Sequence, residues 1–111
     1  MELAKDVYRE TEVLPKSEMF GLQIQLRRAA VSVPSNIAEG HGRLNDGHFR
    51  QFLANARGSL FEVQTQLELA GDLGFIARER VDAVMKKSEE CARLINGLLH
   101  SLEPSTDPLT R

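Results

Sequence analysis

The chain has 111 residues, with 14 Lys plus Arg against 16 Asp plus Glu, for a net charge of −2. That length supports one domain with a single core, and the slightly acidic balance argues against an autonomous polyanion binder, which shows a basic excess. No apolar run approaches the ~18 residues of a membrane span, and Met1-Glu2-Leu3-Ala4-Lys5-Asp6 does not read as a signal peptide.

Leu3, Ala4, Val7 and Tyr8, with Val13 or Leu14, predict a short amphipathic helix over 2–13 that Pro15 ends. Lys16-Ser17 is a tight link, with Ser17 the expected cap of a second helix over 18–42, which the short connection makes an antiparallel neighbour. On that helix Leu22, Leu26, Ala29, Ala30, Val33 and Ile37 share one face, and Arg28, Ser32, Ser35, Glu39 and Arg43 line the opposite one. Pro34 falls in the middle, where it removes the hydrogen bond to the Ala30 carbonyl. Periodicity on both sides favours a kinked helix running through Pro34 over a new helix capped by Ser32. Gly40 and Gly42 are expected to stop it, with Arg43 at its negative end.

Leu44-Asn45-Asp46-Gly47 is a turn whose Asn or Asp caps a third helix over 47–73. Phe49, Phe52, Leu53, Ala56, Leu60, Val63, Leu67 and Ala70 form its core stripe, Gly74 closes it, and Phe75-Ile76 crosses the top. A fourth helix over 77–102 carries Val81, Val84, Met85, Cys91, Ile95, Leu98, Leu99 and Leu102 inward, with i,i+4 pairs Asp82–Lys86 and Glu89–Arg93 outward. The lone Cys91 reads as a buried thiol in a reducing, cytoplasmic setting. Residues 104–111, rich in Pro, Ser and Thr, read as a disordered tail. The expectation is an all-α, up-down-up-down four-helix bundle over 1–103 with a kinked second helix.

Two long stretches carry a resemblance. Leu14-Pro15-Lys16-Ser17-Glu18-Met19-Phe20-Gly21-Leu22 with Gln25 to Gly40, and Phe52 to Glu62 with Leu67 to Gly74, resemble the 23S ribosomal RNA intervening-sequence protein family. The similarity spans residues 3–102. It implies a four-helix bundle that assembles into a ring-like homopentamer. Some members are encoded in insertions of ribosomal RNA genes. Related proteins are accessory factors of diversity-generating retroelements, associating with a reverse transcriptase and nucleic acid. Members of the family begin about ten residues earlier, with an aromatic-containing first half of helix 1 that this chain lacks. The bundle end holding Ile37, Phe49, Phe52, Leu98, Leu99 and Leu102 is therefore expected to lack a fourth wall, to be covered by another subunit or to mark a late start site.

Arg27, Arg28, Arg43, Arg50 and Arg57 are the strongest functional signal: between residues 23 and 57 only Glu39 and Asp46 oppose them, a local balance of +3. Guanidinium groups suit bidentate phosphate contact. The competing reading pairs Arg28 or Arg57 with Glu39 or Glu62 between helices. Pro34, Ser35, Asn36 and Glu39 form a cluster at the kink whose polar groups are expected to satisfy the freed carbonyl. Gly58 and Phe61 share the polar face of helix 3 beside Ala54, and make sense there if another subunit packs on them. His41, His48 and Glu39 are too few for a metal site. With no phosphate-cradling loop or nucleophile elbow, no enzyme, cofactor or small-molecule substrate is expected. The reading is an oligomeric binding or accessory protein contacting RNA or a nucleic-acid enzyme; a protein-interaction scaffold is the alternative.

Overall fold

The computed structural model describes residues 2–14, 16, 19–43 and 45–102. Helix α1 runs Glu2–Thr11, α2 Ile24–His41, α3 Asp46–Asp72 and α4 Arg78–Ser101, with a π-helical turn, Met19–Gln23, leading into α2. Contacts between neighbours pair rising with falling numbers, so each pair is antiparallel. Thr11 meets Gln23 and Arg27, Ser32 meets Ser59, Arg57 meets Asn96 and Gln64 meets Ser88. The result is a rod of 57 × 23 × 19 Å.

The caps follow the side chains available. Asn45 Oδ1 accepts from the backbone N–H of Gly47 at 2.7 Å and of His48 at 3.2 Å, occupying donors that the first turn of α3 leaves open. At its far end Gly74 takes φ +76°, a left-handed turn that glycine adopts freely, and Phe75 N–H returns to the Ala70 carbonyl at 2.9 Å. The expected Ser17 cap and the 104–111 tail lie outside the described residues.

The core is close to the predicted one. Leu26, Ala30, Val33, Leu53, Ala56, Leu60, Val63, Leu67, Ala70 and Val81 are sealed from solvent. α2 is continuous through Pro34, as periodicity required. Four expectations need correcting. Ser32, placed outward from the sequence, turns toward α3 and shares a 2.8 Å hydrogen bond with Ser59. Gly40 is a packing residue as much as a stop: a Cβ there would sit 2.7 Å from Phe52 Cβ. Leu98 is exposed, whereas Ser88 is buried in its stead among the inward positions of α4, accepting from Gln64 Nε2 at 3.0 Å and donating to the Met85 carbonyl at 2.6 Å. Among the described residues neither Asp82–Lys86 nor Glu89–Arg93 forms; Asp82 reaches back to Arg78, which also binds Glu68 and Asp72.

α1 is short, and its inward face is half polar. Leu3 and Val7 are buried, but so are Asp6, Glu10 and Thr11. A helix of this length is marginal alone, so its helicity depends on docking against α2 and α4. Asp6 accepts from Lys87 Nζ and Glu10 Oε1 from Arg80 at 3.1 Å. Beyond α1, Leu94 is 70% exposed and Leu98 41%, and Ile37, Phe49 and Leu102 are only partly covered.

Candidate functional site

The five arginines do not form one surface. Arg27, on the first half of α2, is committed to α1: its Nε donates to Thr11 Oγ1 at 2.8 Å, another guanidinium nitrogen donates to the Tyr8 carbonyl at 3.1 Å, and the group stacks 4.5 Å from the centre of the Tyr8 ring. Tyr8 lies in the last turn of α1, so the cation sits where the helix dipole is negative. Arg50 does the same for α4, donating to the Leu102 carbonyl at 3.1 Å. These two close helix ends.

Arg57 donates to Asn96 Oδ1 at 3.1 Å, tying α3 to α4 without the carboxylate partner considered for it. Arg43 pairs with Glu39 at 2.6 Å and lies 5.2 Å from the centre of the Phe52 ring. That pair is exposed on both sides and contributes on the order of 0–1 kcal/mol. Arg28 is exposed and, among the described residues, makes no ion pair or hydrogen bond. Of the five, Arg28 near the start of α2 and Arg43 just past its end are the ones that face outward, about four helical turns apart.

The kink residues separate as well. Asn36 Nδ2 donates to the Ser32 carbonyl and to Ser32 Oγ, both at 2.9 Å, extending the Ser32–Ser59 contact between α2 and α3. It does not reach the Ala30 carbonyl freed by Pro34. Glu39 belongs to Arg43, and Ser35 is exposed. Pro34 faces α1, lining an open groove of about 590 Å³ with Ala4, Lys5, Tyr8, Arg9 and Glu12. His41 packs edge-on against Phe49 with ring centres 6.0 Å apart. Among the described residues no group of three His, Cys, Asp or Glu gathers as metal ligands would.

Gly58 and Phe61 sit on the outer side of α3. A Cβ built at Gly58 meets nothing within 4 Å, and Phe61 is 49% exposed. Nothing in the subunit therefore requires a glycine or a phenylalanine at these positions.

Sequence reasoning missed the charged seat of α1. Asp6 and Glu10, both nearly buried, face Lys87 and Arg80 across a small cavity of about 190 Å³ that Arg9, Ala83 and Val84 complete. Glu10 Oε2 is buried without a hydrogen-bond partner. The Lys87 ammonium is held above its ordinary pKa, chiefly by the hydrogen bond it donates to Asp6 and also by the charges of Asp6 and Glu2. The i,i+4 spacing of Asp6 and Glu10 beside Leu3 and Val7 was the available signal, since it puts carboxylates on the apolar face. Burial pushes the half-buried Cys91 thiol up. Among the described residues no helix is long and apolar enough to cross a membrane.

A family model described as 23S rRNA-intervening sequence protein matches residues 1–97. Among solved structures, the chain is similar to a protein of unknown function from the S23 ribosomal protein family of Bacteroides thetaiotaomicron. Identity is 23%, the TM-score is 0.79, and 88% of this chain and 92% of that one are covered. That likeness shows a shared fold. No curated protein matches the chain.

Proposed function

Starting from the fact that this chain belongs to the 23S rRNA-intervening sequence protein family, we propose that it is a small oligomeric accessory protein, working beside RNA or a nucleic-acid enzyme and acting chiefly through protein contacts. The observation that carries this reading is the fate of the arginines. Arg27, Arg50 and Arg57 hold helices together and Arg43 is paired with Glu39, so of these five arginines only Arg28 is left unengaged for phosphate among the described residues. Large apolar side chains, by contrast, stand outward on α3 and α4, at Phe61, Leu69, Leu94 and Leu98. Exposed apolar surface beside solvated charge is what a protein partner uses.

A second reading, direct contact with RNA, is favoured by the unpaired Arg28 and by the exposed edge of Arg43. In an oligomer each weak cluster repeats, so several phosphates are engaged at once. A salt titration of binding to structured and single-stranded RNA separates the two, comparing the wild type with Arg28→Ala/Arg43→Ala. The accessory reading expects weak binding that the double variant leaves unchanged. Tight, salt-sensitive binding that the double variant removes favours direct contact. Arg43→Ala/Arg50→Ala isolates the turn between α2 and α3, at the cost of the Leu102 contact.

A further inference from the structure

α1 sorts its charges by side. Asp6 and Glu10 turn inward to Lys87 and Arg80 of α4, whereas Lys5 and Arg9 stay outward beside Tyr8. α2, packed against α1, holds no acidic residue from its start at Ile24 to Ala38. Next to α1 it presents Arg27, stacked on the Tyr8 ring, and Pro34, which lines the groove between the two helices. At 100° per residue Val31, Ile24 and Arg28 follow Pro34 around α2 within about 120°, on the side away from the buried Leu26 and Val33. Tyr8, Val31 and Ile24 are all exposed, at 45%, 41% and 38%. Glu12 is the one acid among the described residues that line the groove. The groove is an apolar floor under a cationic rim, in a chain whose net charge is negative.

We infer that this groove docks an acidic amphipathic helix of a partner protein, with its apolar side chains on Tyr8, Val31 and Pro34 and its carboxylates on Lys5, Arg9 and Arg28. The inference rests on the protein-contact reading above and adds a contact surface and the partner's charge. Charge complementarity selects the occupant. Among the described residues Lys5 and Arg28 make no hydrogen bond or ion pair. Arg9 reaches Asp6 only at 3.4 Å, and its side chain is 69% exposed. An incoming carboxylate therefore meets donors that give up little to receive it. The groove's volume of about 590 Å³ falls within the ~300–1,000 Å³ of clefts that take ligands. It is also preformed, because Arg27 fixes the end of α1 through Thr11 Oγ1 and the Tyr8 carbonyl. Nucleic acid fits less well. Its affinity grows with the number of phosphates neutralised, and two cations here are wholly unengaged. Base stacking needs an open aromatic face, and Arg27 covers one face of Tyr8, the aromatic residue of the groove. The branched side chains of Val31 and Ile24 suit instead the apolar face of a helix.

The test titrates the isotope-labelled full chain, followed by amide chemical shifts, with a model helix that carries leucine along one face and glutamate elsewhere. A lysine version of the same helix and a single-stranded RNA of equal charge are run beside it. The acidic helix should shift the amides of Ala4, Lys5, Tyr8 and Val31. Lys5→Glu/Arg28→Glu, at two exposed positions, should weaken its binding about tenfold or more with the helical signal intact, and added salt should shrink that difference. Val31→Ser, which keeps every charge, should weaken it several-fold. No shifts with the acidic helix, equal binding of the lysine helix, or unchanged affinity in either variant overturns the groove. Shifts gathered around Leu94 and Leu98 instead also overturn it, but leave the protein-contact reading standing on α4. RNA that shifts the groove amides more tightly than the acidic helix overturns both.

Discussion

Replacing Gly40 and Gly58 by alanine should move stability in opposite directions, although both are glycines inside helices. A Cβ at Gly40 would lie 2.7 Å from Phe52 Cβ, 2.9 Å from Phe49 Cδ1 and 3.4 Å from the Phe49 carbonyl oxygen. Carbon atoms pack best at about 3.5–4.0 Å, so the end of α2 must move away from α3 by about 1 Å. Phe52 Cβ is rigidly attached to the backbone and cannot swing aside. Overpacking of this kind costs about 1–3 kcal/mol, set against a helix-propensity gain of about 0.5–1 kcal/mol. The net loss is up to about 2.5 kcal/mol, or a Tm lower by up to about 10 °C for a domain of this size. At Gly58 the added methyl meets nothing, so only the propensity gain remains and the Tm of the dilute subunit should rise by about 2–4 °C. Thermal melts followed by circular dichroism at low concentration measure both. A Gly40→Ala melt at or above wild type, or a Gly58→Ala melt below it, would refute the packing argument.

Because Lys87 titrates above its ordinary range beside Asp6, its contribution to holding α1 is fully present below about pH 10.4 and is lost as pH rises through the elevated folded value. Hydrogen exchange in α1 should therefore quicken at strongly alkaline pH before α3 and α4 respond, and Lys87→Met should show the quickening already at neutral pH; equal protection of α1 in variant and wild type at neutral pH would count against the clasp. Ser88→Ala removes the acceptor for Gln64 Nε2 in the α3–α4 interface and should cost about 1 kcal/mol in urea denaturation, with the m-value unchanged. A variant as stable as wild type would show that the Gln64–Ser88 bond contributes little.

The long helices were legible because each carries a regular line of large apolar residues, and that line alone says which side turns inward. Leu53, Ala56, Leu60, Val63, Leu67 and Ala70 are buried as their spacing required, and Asn45 and Gly74 bound α3 with the chemistry expected of them. What periodicity does not contain is the identity of the neighbour across an interface. Ser32 looked solvent-facing because the helical spacing put it opposite the apolar line, yet it meets Ser59 from another helix. Asp6 and Glu10 drew no expectation from the sequence, because the partners that explain their burial, Arg80 and Lys87, come from α4.

The arginines show the same limit at the functional level. Their clustering in sequence between residues 23 and 57 suggested a shared surface, but α2 and α3 carry them to different ends and sides of the rod. Arg27 and Arg50 find helix carbonyls that no local pattern announces. Gly58 and Phe61 were legible for the opposite reason: each is out of place for a solvent-facing helix, and the structure supplies no internal contact that explains them.

Sedimentation of the wild type beside Phe61→Glu tests most directly whether the outward face of α3 assembles this protein. A charge at that position should reduce the wild-type mass to smaller species while the helical signal and thermal melt of the subunit persist. An unchanged mass in the variant, or a wild type already at the mass of one subunit, would contradict the account.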